Sequence, residues 1–315
     1  MNSYLVFILT ILISHYLLRL IVEIVNLVSF NPKLPEEFRD YYQPENYSKS
    51  QKYLKENTKF HLIQETVFTL IIIVFILSGG FNFIDQIVRS LNLNLSLTGL
   101  LFAAIIILGL QVLEIPFSLY HTFVIEEKYG FNKTTFKTFI ADRIKTFLLL
   151  ALVGGIPFYA ITMLFTDFGP PAWLFCWLAV VIFSWLIVFI QPLLILPLFN
   201  KFIPLEEGEL KTAVNKYAAA ENFALKGIYK IDGSRRSSKA NAYFTGLGKY
   251  RRIALFDTLI QKHTTSEIVS VLAHEIGHYK RKHFLKHFLY AILAKGLMFY
   301  LLSFFINNSG LFEAF

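Results

Sequence analysis

The chain has 315 residues, of which 55% are hydrophobic, and its mean hydropathy is +0.52. That is too apolar for an ordinary soluble domain and directs attention to bilayer-spanning segments. Its formal charge of +8 is spread over loops beside apolar stretches, which argues against a nucleic-acid partner. The single cysteine, Cys176, excludes an intrachain disulfide and a thiolate zinc cluster.

Six stretches approach or exceed the ~20 apolar residues that cross a bilayer: residues 4–30, 61–81, 97–123, 147–165, 172–199 and 284–306. The first has no basic leader and no small-residue cleavage site after it, so it is expected to span rather than to be a signal peptide. Lysine and arginine are dense in the first loop (Lys33, Arg39, Lys49, Lys52, Lys55, Lys59) and the third (Lys128, Lys133, Lys137, Arg143, Lys145). The second loop holds only Arg89, and the fourth, near 166–171, holds none. The asymmetry places the N-terminus away from the cytoplasm and residues 200–283 within it. The membrane would be the cytoplasmic one in a bacterium and the endoplasmic reticulum in a eukaryote.

The expected fold class is an all-α polytopic membrane protein with a small α+β segment on the cytoplasmic side. Residues 1–199 form a membrane domain of five helices, 200–283 the cytoplasmic segment, and 284–315 the sixth helix. Within the first span, His15, Arg19 and Glu23 recur at four-residue steps on one helical face. Charge in hydrocarbon faces a bundle interior or water, so Arg19 and Glu23 are expected to pair.

In the cytoplasmic segment, 211–222 reads as a helix and Gly227–Ile231 as a strand. Residues 240–245 and Arg252–Phe256 read as two strands joined by a turn at 246–249. Thr264-Thr265-Ser266-Glu267 has the form of a capping box, which predicts a helix start. Ile268, Val269, Leu272, Ala273, Ile276 and Tyr279 then share one face, and His274 and His278 the opposite one.

That helix carries His274-Glu275-Ile276-Gly277-His278, an H-E-x-x-H arrangement. Two imidazoles one turn apart can reach a single ion, and Zn2+ is the usual partner of nitrogen ligands. Glu275, beside His274, can take a proton from an attacking water, which is zinc-peptidase chemistry. The bland alternative is a pair of surface histidines on an amphipathic helix. The strand pair before the motif offers an edge to which an extended peptide could add; a purely structural hairpin is the competing reading. His283 and His287 read as interfacial residues at the start of the last span.

Further segments accompany the motif: Tyr47-Ser48-Lys49-Ser50-Gln51-Lys52-Tyr53, Glu126-Glu127-Lys128-Tyr129-Gly130-Phe131-Asn132, Pro197-Leu198-Phe199-Asn200-Lys201-Phe202, Ser237-Ser238-Lys239-Ala240-Asn241-Ala242-Tyr243-Phe244 and Phe256-Asp257-Thr258-Leu259. With these, essentially the whole chain resembles the integral-membrane zinc metalloproteases related to the type I CaaX prenyl protease. The resemblance implies a helical membrane fold around a water-filled chamber, with zinc at its cytoplasmic end. It implies His274 and His278 as ligands, Glu275 as general base, and Asn241, Ala242 and Tyr243 along the substrate. The implied partners are a peptide's C-terminal region, prenylated in eukaryotic relatives, and membrane lipid. A heat-shock-associated branch, concerned with membrane-protein quality control, is a sibling reading with fewer spans before the motif.

The resemblance also implies a third ligand, a glutamate downstream of a further membrane hairpin. After His278 the only acidic residue is Glu313, beyond the sixth span. Asp232 and Asp257 lie upstream and are expected to be structural. The economical expectation is an N-terminal fragment of a longer protease whose isolated chain binds zinc weakly. A non-catalytic membrane protein with a degenerate metal site is the alternative from another functional class.

Overall fold

The structure, a computed structural model, describes residues 2–246, 251–306 and 308–314. It divides into two compact units, Met1–Tyr129 with Asn307–Phe315, and Gly130–Ile306. Among the described residues, six helices are long and apolar enough to cross a membrane, as the hydropathy predicts. Large apolar side chains such as Phe7, Leu18 and Leu293 point outward from them, as lipid-facing residues do.

In the first unit, α1 (Ser3–Ser29) packs against α2 (Pro44–Leu77). Tyr16 and Thr66 share a hydrogen bond of 2.9 Å between the two helices. Arg19 Nε meets Glu65 Oε1 at 3.0 Å, so the expected Arg19–Glu23 pair is replaced by an interhelical one. Glu23 instead accepts from Asn26 on its own helix. Bending of a helix side chain toward its own neighbour is outcompeted by a facing helix that offers the opposite charge.

Helix α2 starts at Pro44, well before its apolar part, with proline at a first-turn position that needs no N–H. Hydropathy marks only the bilayer crossing. The polar turns ahead of it stay helical because Lys, Glu and Gln are good helix formers. They also have partners: Tyr53 donates to Glu126, and Glu56 accepts from Lys128 (2.7 Å) and Tyr129 (2.8 Å). Helix α3 (Gly80–Arg89) leads to α4 (Leu95–Tyr120), which holds Pro116 and runs on as a π-helical turn, His121–Glu126.

The second unit opens at Gly130, whose φ of +77° is a backbone state that a side chain would strain. Helix α5 (Phe136–Leu149) continues through a π turn into α6 (Gly155–Phe168). Helix α7 (Trp173–Ile190) continues through a second π turn into the short α8 (Leu196–Phe199). The long helix α12 (His283–Phe305) lies on α7, and Trp177 Nε1 donates to Ile292 O at 2.9 Å. Phe165, Ala172, Cys176 and Phe299 are buried together there.

Between these helices the chain builds β1 (Phe202–Pro204), α9 (Glu209–Ala220), β2 (Gly227–Ile231), β3 (Ala242–Thr245), β4 (Arg252–Phe256), α10 (Asp257–Lys262) and α11 (Thr265–Lys280). The strands form one sheet in the order β1-β2-β4-β3. β1 and β2 are antiparallel, β2 and β4 parallel, and β4 and β3 antiparallel. The sequence reading finds β2, β3 and β4 but not β1, and the 246–249 turn falls largely outside the described residues. The core beneath the sheet joins Ile228, Ile253 and Leu255 to Val214 of α9 and to Ile268 and Leu272 of α11. The short terminal helix α13 (Ser309–Phe312) belongs to the first unit, where Asn2 Nδ2 donates to Gly310 O at 2.6 Å.

Candidate metal centre and strand edge

Helix α11 begins where the sequence places it. The Thr264 hydroxyl accepts from Glu267 N, and the Glu267 carboxylate accepts from Thr264 N at 2.8 Å, a complete capping box. These bonds hold the Glu267 carboxyl below its ordinary range, the backbone N–H of Thr264 contributing most. One face of the helix is anchored by Ile268, Leu272 and Ile276, all buried. The opposite side carries His274 and His278, both exposed, with Glu275 half-buried between them.

The Nε2 atoms of His274 and His278 lie 3.1 Å apart. Two nitrogens each ~2.0–2.1 Å from one zinc at a tetrahedral angle would be separated by about 3.3 Å. The pair therefore fits a shared metal. The Glu275 carboxylate makes no hydrogen bond or ion pair among the described residues, which leaves both oxygens open to water. His278 uses its other nitrogen as well: its Nδ1 is 2.9 Å from Nδ1 of His283, the first residue of α12.

Among the described residues no group of three or more His, Cys, Asp or Glu side chains converges as a metal site. Asp232 accepts from Lys201 N at 2.6 Å. Asp257 accepts from Ser234 N and from Thr258 N, both at 2.8 Å. Both carboxylates thus take part in local turn contacts, the structural role the sequence suggests. Glu313 ends α13 in the other unit.

Asn241, Ala242 and Tyr243 enter β3, the edge strand beside α11. Ala242 is buried against the Ile268–Leu272 core, and Phe244 packs on Phe223 near Ile276. Phe256 N donates to Asn241 O at 3.0 Å, and the register continues through Tyr243↔Ala254. By antiparallel alternation, the backbone groups of Ala242 and Phe244 then point away from β4, toward the open edge. Asn241 Oδ1 accepts from Ala242 N at 2.8 Å, a local bond that an incoming strand could displace. Burial pushes the Tyr243 phenol up to about 12, so it stays protonated and able to donate.

What fixes this edge is a contact no sequence pattern reveals. Ser238 N donates to Phe131 O at 3.0 Å, Ser238 Oγ to Gly130 O at 2.8 Å, and Asn132 bridges Ser237 antiparallel. Residues 130–132 and 237–238, from two of the segments singled out in the sequence, are thus laid side by side. His283, read from the sequence as an interfacial residue, does open the last span, and it also approaches His278. Its spacing from His278 by five gives no helical-face signal, because a turn intervenes.

The chain is similar to known proteins. Residues 23–201 match the family model described as CAAX prenyl protease N-terminal, five membrane helices, and 204–315 match peptidase family M48. The chain is 39% identical to a CAAX prenyl protease 1 homolog of Oryza sativa, over 90% of this chain and 69% of that protein. It is 36% identical to the probable CAAX prenyl protease 1 of Schizosaccharomyces pombe, over 90% of this chain and 62% of that one. The crystal structure of S. mikatae Ste24p superposes with a TM-score of 0.92 at 33% identity, covering 98% of this chain and 74% of that chain. The chain is a multi-pass membrane protein and belongs to the CAAX prenyl protease branch of the M48 metallopeptidase family.

Proposed function

We propose that this protein is a membrane-embedded zinc endopeptidase that cleaves near the C-terminus of membrane-associated, prenylated CaaX-type peptides. His274 and His278 would supply two of the metal ligands, and Glu275 the general base. The observation that carries the reading is the 3.1 Å approach of the two Nε2 atoms beside an uncommitted carboxylate. The names of the relatives support the substrate class.

Zinc, when bound, supplies a Lewis acid that polarises a scissile carbonyl and acidifies water. Glu275 accepts the proton of the water that adds to the carbonyl carbon. It returns that proton to the amide nitrogen as the C–N bond breaks, so the carboxylate is regenerated. Strand β3 offers the outward groups of Ala242 and Phe244 to the substrate backbone, with Asn241 and Tyr243 alongside. This division of labour corresponds to a membrane domain at 1–199, a site-bearing segment at 200–283 and a last span at 284–315. We place the middle segment in the cytoplasm, from the loop charges.

The test uses wild type, His274→Ala and Glu275→Gln in detergent, with zinc binding and cleavage of a farnesylated CaaX peptide as readouts. Glu275→Gln should keep zinc and lose turnover by about 100-fold or more. Zinc uptake that ignores His274 would remove the metal centre, and turnover surviving in Glu275→Gln would remove the base.

A further inference from the structure

His278 is held from both sides. Its Nε2 faces His274, while its Nδ1 lies 2.9 Å from Nδ1 of His283. The two rings stand nearly perpendicular, at 80°, with centroids 4.8 Å apart. A nitrogen that binds a metal must present a lone pair, so the proton of a neutral His278 has to sit on Nδ1. Nδ1–H then needs an acceptor, and a ligating histidine almost always has one. The usual acceptors are carboxylates and backbone carbonyls. Here the atom in place is a second imidazole nitrogen.

The backbone is arranged to put it there. Helix α11 closes with Arg281 N donating to Gly277 O at 3.0 Å and Lys282 N to Tyr279 O at 2.8 Å. Lys282 then adopts φ 55° and ψ 33°, left-handed backbone that an L side chain rarely takes. That one residue reverses the chain and starts α12 with His283 turned back on His278. A non-glycine residue persists in such a state only when its surroundings over-determine it.

We propose that His283 is a positioning residue for the metal centre. It accepts the Nδ1 proton of His278 on its own Nδ1, fixes the ring, and directs the Nε2 lone pair toward the ion shared with His274. His283 itself carries its proton on Nε2 and does not touch the metal. Its contact is with the nitrogen on the far side of the His278 ring, which excludes it as a ligand in this geometry. The inference rests on the metal reading of His274 and His278 above.

The experiment is equilibrium zinc competition against a chromophoric chelator, with the full chain in detergent. It compares wild type, His274→Ala, His283→Ala, His283→Phe and His283→Asn. His283→Phe fills the space without an acceptor, and His283→Asn restores an acceptor oxygen. Loss of the acceptor should weaken zinc affinity about 10- to 100-fold, equally in the Ala and Phe variants. His283→Asn should recover most of it, and the metal-free unfolding midpoint should be unchanged in the Phe and Asn variants. Substituted cobalt should shift its visible absorption in His283→Phe. Wild-type affinity in His283→Phe, with binding abolished in His274→Ala, would overturn the positioning role and leave the metal centre standing. Abolished binding in Ala, Phe and Asn alike would overturn it in favour of direct ligation. Zinc binding indifferent to His274 would overturn the metal reading and this inference together.

Discussion

Arg236 grips Asp142 with two hydrogen bonds, Nε to Oδ2 at 2.7 Å and Nη2 to Oδ1 at 2.9 Å. The two side chains are only 23% and 22% exposed. Nη1 adds a bond to Asn200 Oδ1 at 3.2 Å. On its other side, the Arg236 carbonyl accepts from Lys133 N at 3.1 Å and from Thr134 Oγ1 at 3.0 Å. The start of α5 is thereby tied to the run that leads into the edge strand, so the strand's position depends on a membrane helix.

Breaking this clamp should be costly. Asp142→Asn removes a charge-assisted bidentate pair and should lower stability by about 1.5–3 kcal/mol. The double variant Asp142→Asn with Arg236→Met should cost less than the sum of the singles. Thermal or denaturant unfolding in detergent measures the cycle, and additivity within about 0.5 kcal/mol would show that the pair is not coupled.

Asn241 is exposed, and its side-chain oxygen accepts from Ala242 N. Asn241→Asp keeps the acceptor and loses the donor. The Michaelis constant for a farnesylated peptide should rise about tenfold, the worth of one hydrogen bond, with kcat little altered. An unchanged Michaelis constant would take Asn241 out of the substrate path.

The capping box gives α11 an acid sensitivity of known sign. The Glu267 carboxyl is depressed below its ordinary 4.5 by the Thr264 N–H and hydroxyl. Its contribution is therefore fully present above that ordinary value and is lost as pH falls through the depressed one. Amide protection factors in the first turn of α11, corrected for the intrinsic fall of exchange with pH, should drop as pH goes below the ordinary carboxylate range. Glu267→Gln should flatten that dependence. Thr264→Ala should cost about 1 kcal/mol at neutral pH.

Lys282 pays a backbone penalty at φ 55°. Lys282→Val should destabilise by about 1–2 kcal/mol, because a β-branched side chain tolerates left-handed backbone worst. Lys282→Gly should leave the unfolding midpoint unchanged or raise it. A fall in Lys282→Gly comparable to that in Lys282→Val would mean the lysine side chain, and not the turn, is what matters.

The spans, the capped helix and the pairing of His274 with His278 were legible in the sequence because each follows from local rules. An apolar run of sufficient length must cross lipid or be buried. A Thr-x-x-Glu cap must close on its own backbone, and residues four apart share a helical face whatever surrounds them. Ile268, Leu272 and Ile276 are buried for the same reason, since the period of the helix decides which side meets the sheet.

Tertiary structure decided the rest. The parallel pairing of β2 with β4, and the short β1 beside them, depend on which strands meet after long connections, and hydrogen bonds between strands carry no sequence period. Arg19 could have met Glu23 one turn away or Glu65 on another helix; only packing put the second within 3.0 Å. Arg236 and Asp142 are far apart along the chain, so no spacing announces them. His283 came to His278 through a left-handed turn at Lys282, a conformation that lysine does not advertise. Periodicity binds residues on one element, whereas the partners that orient a site arrive from other elements, where only the folded chain sets the distance.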